Sequence, residues 1–341
     1  MQLENPYTVD QTQKEKELYE ALEQLTAHHA QACPEYSKIL KMMYPNAHEI
    51  PYLPVSLFKH QNLKSIPDEK VFKTLLSSGT TTSIPSKIFL DGETAALQTK
   101  ALASIMTSWI GKKRLPMLIV DTPGVIKNRA SFSARGAGIL GMMNFGRDHL
   151  YALTEDFKLD RVAIEQWAEK HQEGPILVFG FTFMVWKYLL GSNPLSLPPG
   201  TLIHSGGWKK LQDEAVSNAL FKQILQEKTG IAKCHNFYGM VEQVGSVFVE
   251  CEKGYLHPPR FADVIIRHPK TWAPLGIDEE GVIQVLSALP KSYPGHSLLT
   301  EDLGRIVSID SCPCGRKGKA FEVLGRVPKT EIRGCSDTQG E

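Results

Sequence analysis

The chain has 341 residues, with 38 basic against 37 acidic side chains, a formal charge of +1 and 42% hydrophobic composition. That balance excludes recruitment of nucleic acid or an anionic bilayer by bulk charge, and the length accommodates one large domain or two. No stretch reaches the roughly 18 consecutive apolar residues needed to cross a bilayer.

The opening Met1-Gln2-Leu3-Glu4-Asn5-Pro6 lacks the charged start and apolar core of a signal peptide. Six cysteines in so long a chain do not make a disulfide scaffold. A cytoplasmic protein with reduced thiols is the expectation. Residues 10 to 45 have helical periodicity, with Leu18, Leu22 and Leu25 on one face and a break at Pro34. Pro51-Tyr52-Leu53-Pro54 marks an extended connection. A further helix opens at Asp91-Gly92-Glu93 and runs to about Trp109. Apolar runs at Met117–Val120, Ile176–Phe179 and Leu202-Ile203 each end in a glycine or proline turn, as buried parallel strands often do. Helical patterns near 160–170, 182–190 and 211–228 lie between or after them, which predicts a layered α/β core. Short strand candidates then follow at Val247–Glu250, Val264–Arg267, Val282–Leu286 and Arg305–Ile309, a pattern for a smaller mixed or antiparallel subdomain.

Between Val71–Leu76 and Ile88–Leu90 lies an unbroken run of hydroxyls and glycine: Ser77, Ser78, Gly79, Thr80, Thr81 and Thr82. A polar turn between two strands offers backbone N–H groups and hydroxyl donors to an anion. It is not the P-loop of kinases and GTPases, since no Gly-Lys-Ser/Thr follows at the required spacing. Alone, it reads better as a Ser/Thr-rich surface turn.

Four further stretches give it a context: Ser205-Gly206-Gly207-Trp208, Asn236-Phe237-Tyr238-Gly239-Met240-Val241-Glu242, Leu299-Thr300-Glu301-Asp302-Leu303-Gly304, and Leu324-Gly325-Arg326-Val327. In this order the chain resembles the adenylate-forming enzymes, which join a carboxylic acid to AMP. It resembles more closely the acyl-protein synthetase family of the bioluminescence fatty-acid reductase. That likeness extends over Asn5-Pro6-Tyr7, Pro54-Val55-Ser56-Leu57-Phe58-Lys59, Leu90-Asp91 and Arg333-Gly334-Cys335.

The resemblance implies an α/β fold: an N-terminal helical segment (1–60), an adenylation core (61–245), a mixed-β subdomain (246–327) and a short tail (328–341). It implies ATP and Mg2+ as cofactors. The loop Ser77 to Thr82 would hold the triphosphate, with Gly206, Gly207 and Gly239 lining the nucleotide. Tyr238 would lie against adenine, Glu242 would hold Mg2+, Asp302 would accept from the ribose hydroxyls, and Arg326 would contact the ribose or α-phosphate side. Each residue also has a plain structural reading: Tyr238 as a core aromatic, Glu242 as a helix-start carboxylate, Arg326 as a surface ion pair.

Two departures stand out. Ser83 occupies a position where the commoner loop has glycine, and Ser86 intervenes between Pro85 and Lys87, where that loop has lysine directly after proline. Most adenylate-forming enzymes also carry a mobile C-terminal domain after the Gly-Arg hinge; fifteen residues follow Arg326 here, and the expectation is a short tail in place of that domain. Within those residues Cys335, next to Arg333-Gly334, is the position where the resembled family takes the acyl group as a thioester, a covalent relay that divides one transfer into two.

Cys251 and His257, followed by Cys312 and Cys314, make a set of soft ligands suited to structural zinc. Similar spacing occurs in phenylacetate–CoA ligase relatives, and ordinary reduced cysteines, Cys234 among them, are the alternative. Phe179–Met184 and Gly136–Met143 are apolar enough to line an acyl pocket or to be core. The implied activity is ATP-dependent activation of a fatty or similar carboxylic acid, capture on Cys335 and transfer to a partner acyl reductase. An acyl–CoA or acyl-carrier ligase and a non-catalytic nucleotide-binding subunit are the alternatives.

Overall fold

The computed structural model describes residues 2–44, 49–77, 84–126 and 134–327. Its contacts form two units, one from the described parts of Met1–Trp109 and Gly239–Ile332, the other from Ile110–Tyr238.

The second unit grows from the apolar run at Ile176. The strand Ile176–Phe181 is buried along its whole length, as expected of a central parallel strand covered on both faces. Leu115–Ile119 and Gly200–Ser205 pair with it in parallel, and Gly146–Tyr151 and Lys233–Tyr238 extend the sheet on either side. Gly180 is required inside the central strand, because a Cβ there would stand 2.8 Å from Val185 Cγ2 and 2.9 Å from Val120 Cβ. The pattern near 160–170 becomes the helix Arg161–Lys170, capped where the Asp160 side chain accepts from the Ala163 N–H. The single helix expected over 211–228 is instead a short 3-10 stretch, Lys209–Glu214, followed by Asn218–Thr229. Ser217 resets the chain there, accepting from the Leu220 N–H as the N-cap of the second piece.

The first unit is built on an antiparallel sheet. Its strands lie in the order Ala262–Arg267, Gly281–Ser287, Ser297–Ile309, Lys319–Arg326, Leu256–His257, Phe248–Glu250. Leu53–Pro54 adds a short parallel pairing to Ser297–Ile309. Helix Gln11–Ala32 ends at Cys33 and Pro34 starts the next helix, Pro34–Met43. The long helix lays Leu18 and Leu22 on Leu286 and Ala288 of the sheet. A buried ionic knot fixes its start: Lys14 Nζ lies 3.4 Å from Asp263 Oδ1, Lys319 Nζ lies 3.0 Å from Oδ2, and the Gln11 amide donates to Oδ2 at 2.7 Å. The hairpin Lys73–Leu76 with Lys87–Leu90 brackets the hydroxyl-rich loop, in register from Lys73↔Leu90 to Leu76↔Lys87. No helix of the described residues is long and apolar enough to cross a membrane.

Candidate active site

In the second unit the parallel strands aim their carboxyl ends at one edge of the sheet, where open α/β sheets bind ligands. Ser205 and Phe237 are register partners on neighbouring strands. Gly206-Gly207 therefore leave one strand end beside Tyr238, the last residue of the next. Gly206 sits at φ +84°, a left-handed turn favouring glycine, and a Cβ on it would lie 3.5 Å from Phe181. Under this edge His204 Nδ1 meets the Thr182 hydroxyl at 2.9 Å and its ring stacks on Phe221. Burial holds the His204 imidazole neutral, with its pKa lowered to about 3.

In the first unit three candidate residues gather around the strand Ser297–Ile309. Asp302 and Arg326 are register partners, with Arg326 Nε 3.6 Å from Asp302 Oδ1. Arg326 Nη1 also lies 3.8 Å from Glu301 Oε2, and Lys59 Nζ lies 3.8 Å from Glu301 Oε1. The sequence assigns no role to Lys59 or Glu301, although both lie inside stretches that carry the resemblance, Pro54–Lys59 and Leu299–Gly304. Glu242, in the turn Val241–Gln243, is buried. Burial raises its carboxyl pKa, opposed by the Ser86 hydroxyl, its own backbone N–H and Lys59, while Glu301 adds to the rise. A buried carboxyl so placed suits a hard cation that compensates its charge.

Gly239 opens the turn before Glu242, and a Cβ on it would meet Val247 Cγ1 at 3.1 Å. The Glu242 backbone is fixed from behind. The neighbouring Gln243 amide donates to Gly295 O at 3.0 Å and Val285 O at 3.3 Å. A Cβ on Gly295 would lie 2.8 Å from Glu242 O and collide with the Tyr293 ring. Of the hydroxyl-rich loop, Ser77 is described; Ser78, Gly79, Thr80, Thr81 and Thr82 lie outside the described residues, as do Cys335 and the tail 328–341.

The soft-ligand set does converge. One ligand atom each from Cys251, His257, Cys312 and Cys314 lies within 4.8 Å of the others. Cys251 Sγ and Cys312 Sγ are 3.9 Å apart, and His257 Nε2 is 3.4 Å from Cys314 Sγ. Tetrahedral zinc with Zn–S bonds of about 2.3 Å sets its sulfurs roughly 3.8 Å apart, so the cluster has the right dimensions. Burial raises the Cys251 thiol and pushes Cys312 up to about 12, while it lowers His257 to about 4. Cys314 alone is lowered: burial raises it, but the N–H and side chain of Arg316 together with the Cys312 and Cys251 thiols outweigh that. The imidazole lone pair is thus available, and a cation would draw the buried thiols into their ionised form. Cys234 is not among the four.

The family model described as acyl-protein synthetase, LuxE, matches residues 3–341. A protein from Aliivibrio fischeri named long-chain-fatty-acid–luciferin-component ligase is 23% identical over 308 residues, covering 84% of this chain and 77% of the relative. Among solved structures, 2-hydroxyisobutyryl-CoA ligase with 2-HIB-AMP and CoA matches with a TM-score of 0.70 at 16% identity, over 95% of this chain and 77% of that one. ATP-bound MatB from Rhodopseudomonas palustris matches with a TM-score of 0.51 at 17% identity, over 77% and 49%. At such identities the structural likeness establishes a shared fold, that of the adenylate-forming ligases.

Proposed function

The chain belongs to the acyl-protein synthetase (LuxE) family, and on that footing we propose that it activates a fatty or similar carboxylic acid with ATP and passes the acyl group to a thiol. The observation that carries this reading is the family match over nearly the whole chain, joined to an adenylate-forming fold.

A carboxylate is a poor electrophile. Its oxygen attacks the α-phosphorus of ATP, pyrophosphate leaves, and the acid becomes an acyl-AMP whose leaving group is AMP. The protein must hold two anions in contact and offset the charge that builds between them. In our reading Tyr238, Gly206, Gly207 and Gly239 receive the adenine end, Asp302 accepts from the ribose hydroxyls, and Arg326 donates toward the α-phosphate side. Ser77 to Thr82 hold the remaining phosphates. Glu242 would hold Mg2+, which when bound spreads phosphate charge. The pairing of Asp302 with Arg326 supports these two roles, since each orients the other.

The thiolate of Cys335 then attacks the acyl carbon, AMP leaves, and a thioester forms. A nucleophile of a partner acyl reductase displaces that thiolate and regenerates Cys335. The name luciferin-component ligase on the relative supports a protein acceptor. Zinc bound by Cys251, His257, Cys312 and Cys314 would serve structure. The cluster lies beside Trp109, whose ring carries the Arg316 guanidinium at 3.6 Å and whose Nε1 donates to Tyr7.

The test is product analysis with a long-chain acid and ATP, with and without CoA and an acyl reductase. Acyl-AMP and protein-bound thioester without CoA support the reading; acyl-CoA as the sole product would replace the acceptor.

A further inference from the structure

At the carboxyl end of the strand Leu115–Ile119 stands a buried ion pair that no proposed step employs. Asp121 follows that strand, and Arg135 lies in the first turn of the helix Ala134–Met143. Asp121 is 1% and Arg135 4% exposed, and Arg135 Nε lies 3.2 Å from Asp121 Oδ2. The other carboxylate oxygen, Oδ1, accepts from the Thr122 N–H at 2.7 Å. Arg135 Nε and Nη1 and Asp121 Oδ2 have no aligned hydrogen-bond partner among the described residues. A guanidinium carries five donors, and a buried donor left unmatched is costly.

The same helix face leads to the carboxyl edge of the sheet. Gly138, one turn on from Arg135, comes so close to the Phe181 ring that a Cβ on it would lie 3.2 Å from Cζ. Gly206 flanks the same ring from the next strand end, where a Cβ would lie 3.5 Å from Cδ1. On its other side the Arg135 guanidinium stands 5.9 Å from the centre of the Phe157 ring. An apolar ring between two glycines therefore separates the Gly206-Gly207 turn from a buried guanidinium with donors to spare.

We infer that Arg135 is a specificity residue: the acid this chain activates carries an uncharged oxygen substituent, a hydroxyl or an oxo group, which accepts from the unmatched Arg135 donors while the acyl chain runs over Phe181. The inference deepens the ligase reading and rests on it, because an acid that reaches the α-phosphate of a nucleotide held at Gly206-Gly207 brings its chain past that ring. Charge decides between neutral and anionic substituents. Asp121 already balances Arg135, so a second carboxylate would bring a buried negative charge with no counterion. An unsubstituted chain would leave the guanidinium donors desolvated and unpaired, which is how polar sites reject analogues that lack a hydroxyl. A pair that serves packing alone would treat all acids of one length alike.

The experiment is acid-dependent pyrophosphate–ATP exchange on the wild-type chain and Arg135→Met. At each of several chain lengths, kcat/KM is measured for the unsubstituted acid, for acids with a hydroxyl or oxo group at successive carbons, and for the dicarboxylic acid. The expected result is a hydroxy or oxo acid that exceeds both the unsubstituted acid and the diacid by about 10- to 100-fold in the wild type. In Arg135→Met that ratio falls to about one. Asp121→Asn combined with Arg135→Met removes both charges together, leaving neither buried alone, and gives the same comparison where the single variant does not fold. Unsubstituted acids that match or exceed every substituted one, a preference for the diacid, or a ratio unchanged in the variants overturns the assignment and leaves the ligase reading standing. No exchange with any acid of the panel overturns the ligase reading itself and this assignment with it.

Discussion

Arg326 and Asp302 face each other across two antiparallel strands, with Arg326 Nε 3.6 Å from Asp302 Oδ1. The pair is part-buried and close to Glu301, and in the proposed function Asp302 accepts from the ribose and Arg326 donates toward the α-phosphate. Charge-assisted contacts of this type are worth about 2–3 kcal/mol, so Arg326→Ala should lower kcat/KM for ATP roughly 30- to 150-fold. Asp302→Asn, which keeps the shape and removes the charge, should raise KM for ATP with a smaller effect on kcat. Steady-state kinetics of adenylation over varied ATP checks both.

The Cys251–His257–Cys312–Cys314 cluster predicts one zinc per chain by metal analysis. Cys312→Ser should release the metal and lower the melting temperature, and a strong chelator should do the same to the wild type. Protein that is metal-free as purified from zinc-supplemented cells, with an unchanged melting curve in chelator, would leave the four residues as ordinary thiols and an imidazole.

The tail cysteine separates two chemical steps. Cys335→Ser should keep acyl-AMP formation within about twofold, because the nucleophile takes no part in it, and lose thioester labelling. Incubation with radiolabelled fatty acid followed by denaturing electrophoresis reads the label. Retained, hydroxylamine-labile label on the variant would place the acceptor elsewhere.

Acid should destabilise the first unit through a buried histidine pair. His29 and His296 stack at 5.1 Å, His29 donates to Pro290 O and meets the Ser65 hydroxyl, and His296 Nε2 meets the Thr26 hydroxyl. Burial lowers His29 to about 2 and His296 to about 3, and the His296 ring further disfavours charge on His29. The unfolded rings titrate near 6.5, so below that pH the unfolded chain binds more protons and stability falls. It is fully present above about pH 6.5. The loss is about 1.4 kcal/mol per pH unit for each ring. Urea unfolding between pH 7 and 5 should show a shallower slope in the His29→Gln, His296→Gln double variant.

Much of this architecture is written locally. Pro34 breaks the first helical region where expected, and the apolar run at Ile176 forms the central strand. Lys233–Tyr238 and Gly146–Tyr151 were not readable as strands, because Lys233, His235 and Asn236 in one and Arg147, Asp148 and His149 in the other dilute the apolar signal. The convergence of Cys251, His257, Cys312 and Cys314 was legible because ligand chemistry restricts spacing. Ser86 was visible only as a departure from a motif. Its burial depends on tertiary contacts between distant segments, as does the stacking of His29 on His296.

The central claim is that this chain makes an acyl-adenylate. Exchange of radiolabelled pyrophosphate into ATP, with and without a long-chain fatty acid, tests it most directly, because exchange requires reversal of that step alone. The account predicts exchange that depends on the acid and is abolished or lowered at least tenfold by Glu242→Gln. Exchange indistinguishable with and without acid, across a panel of chain lengths and aromatic acids, would contradict it.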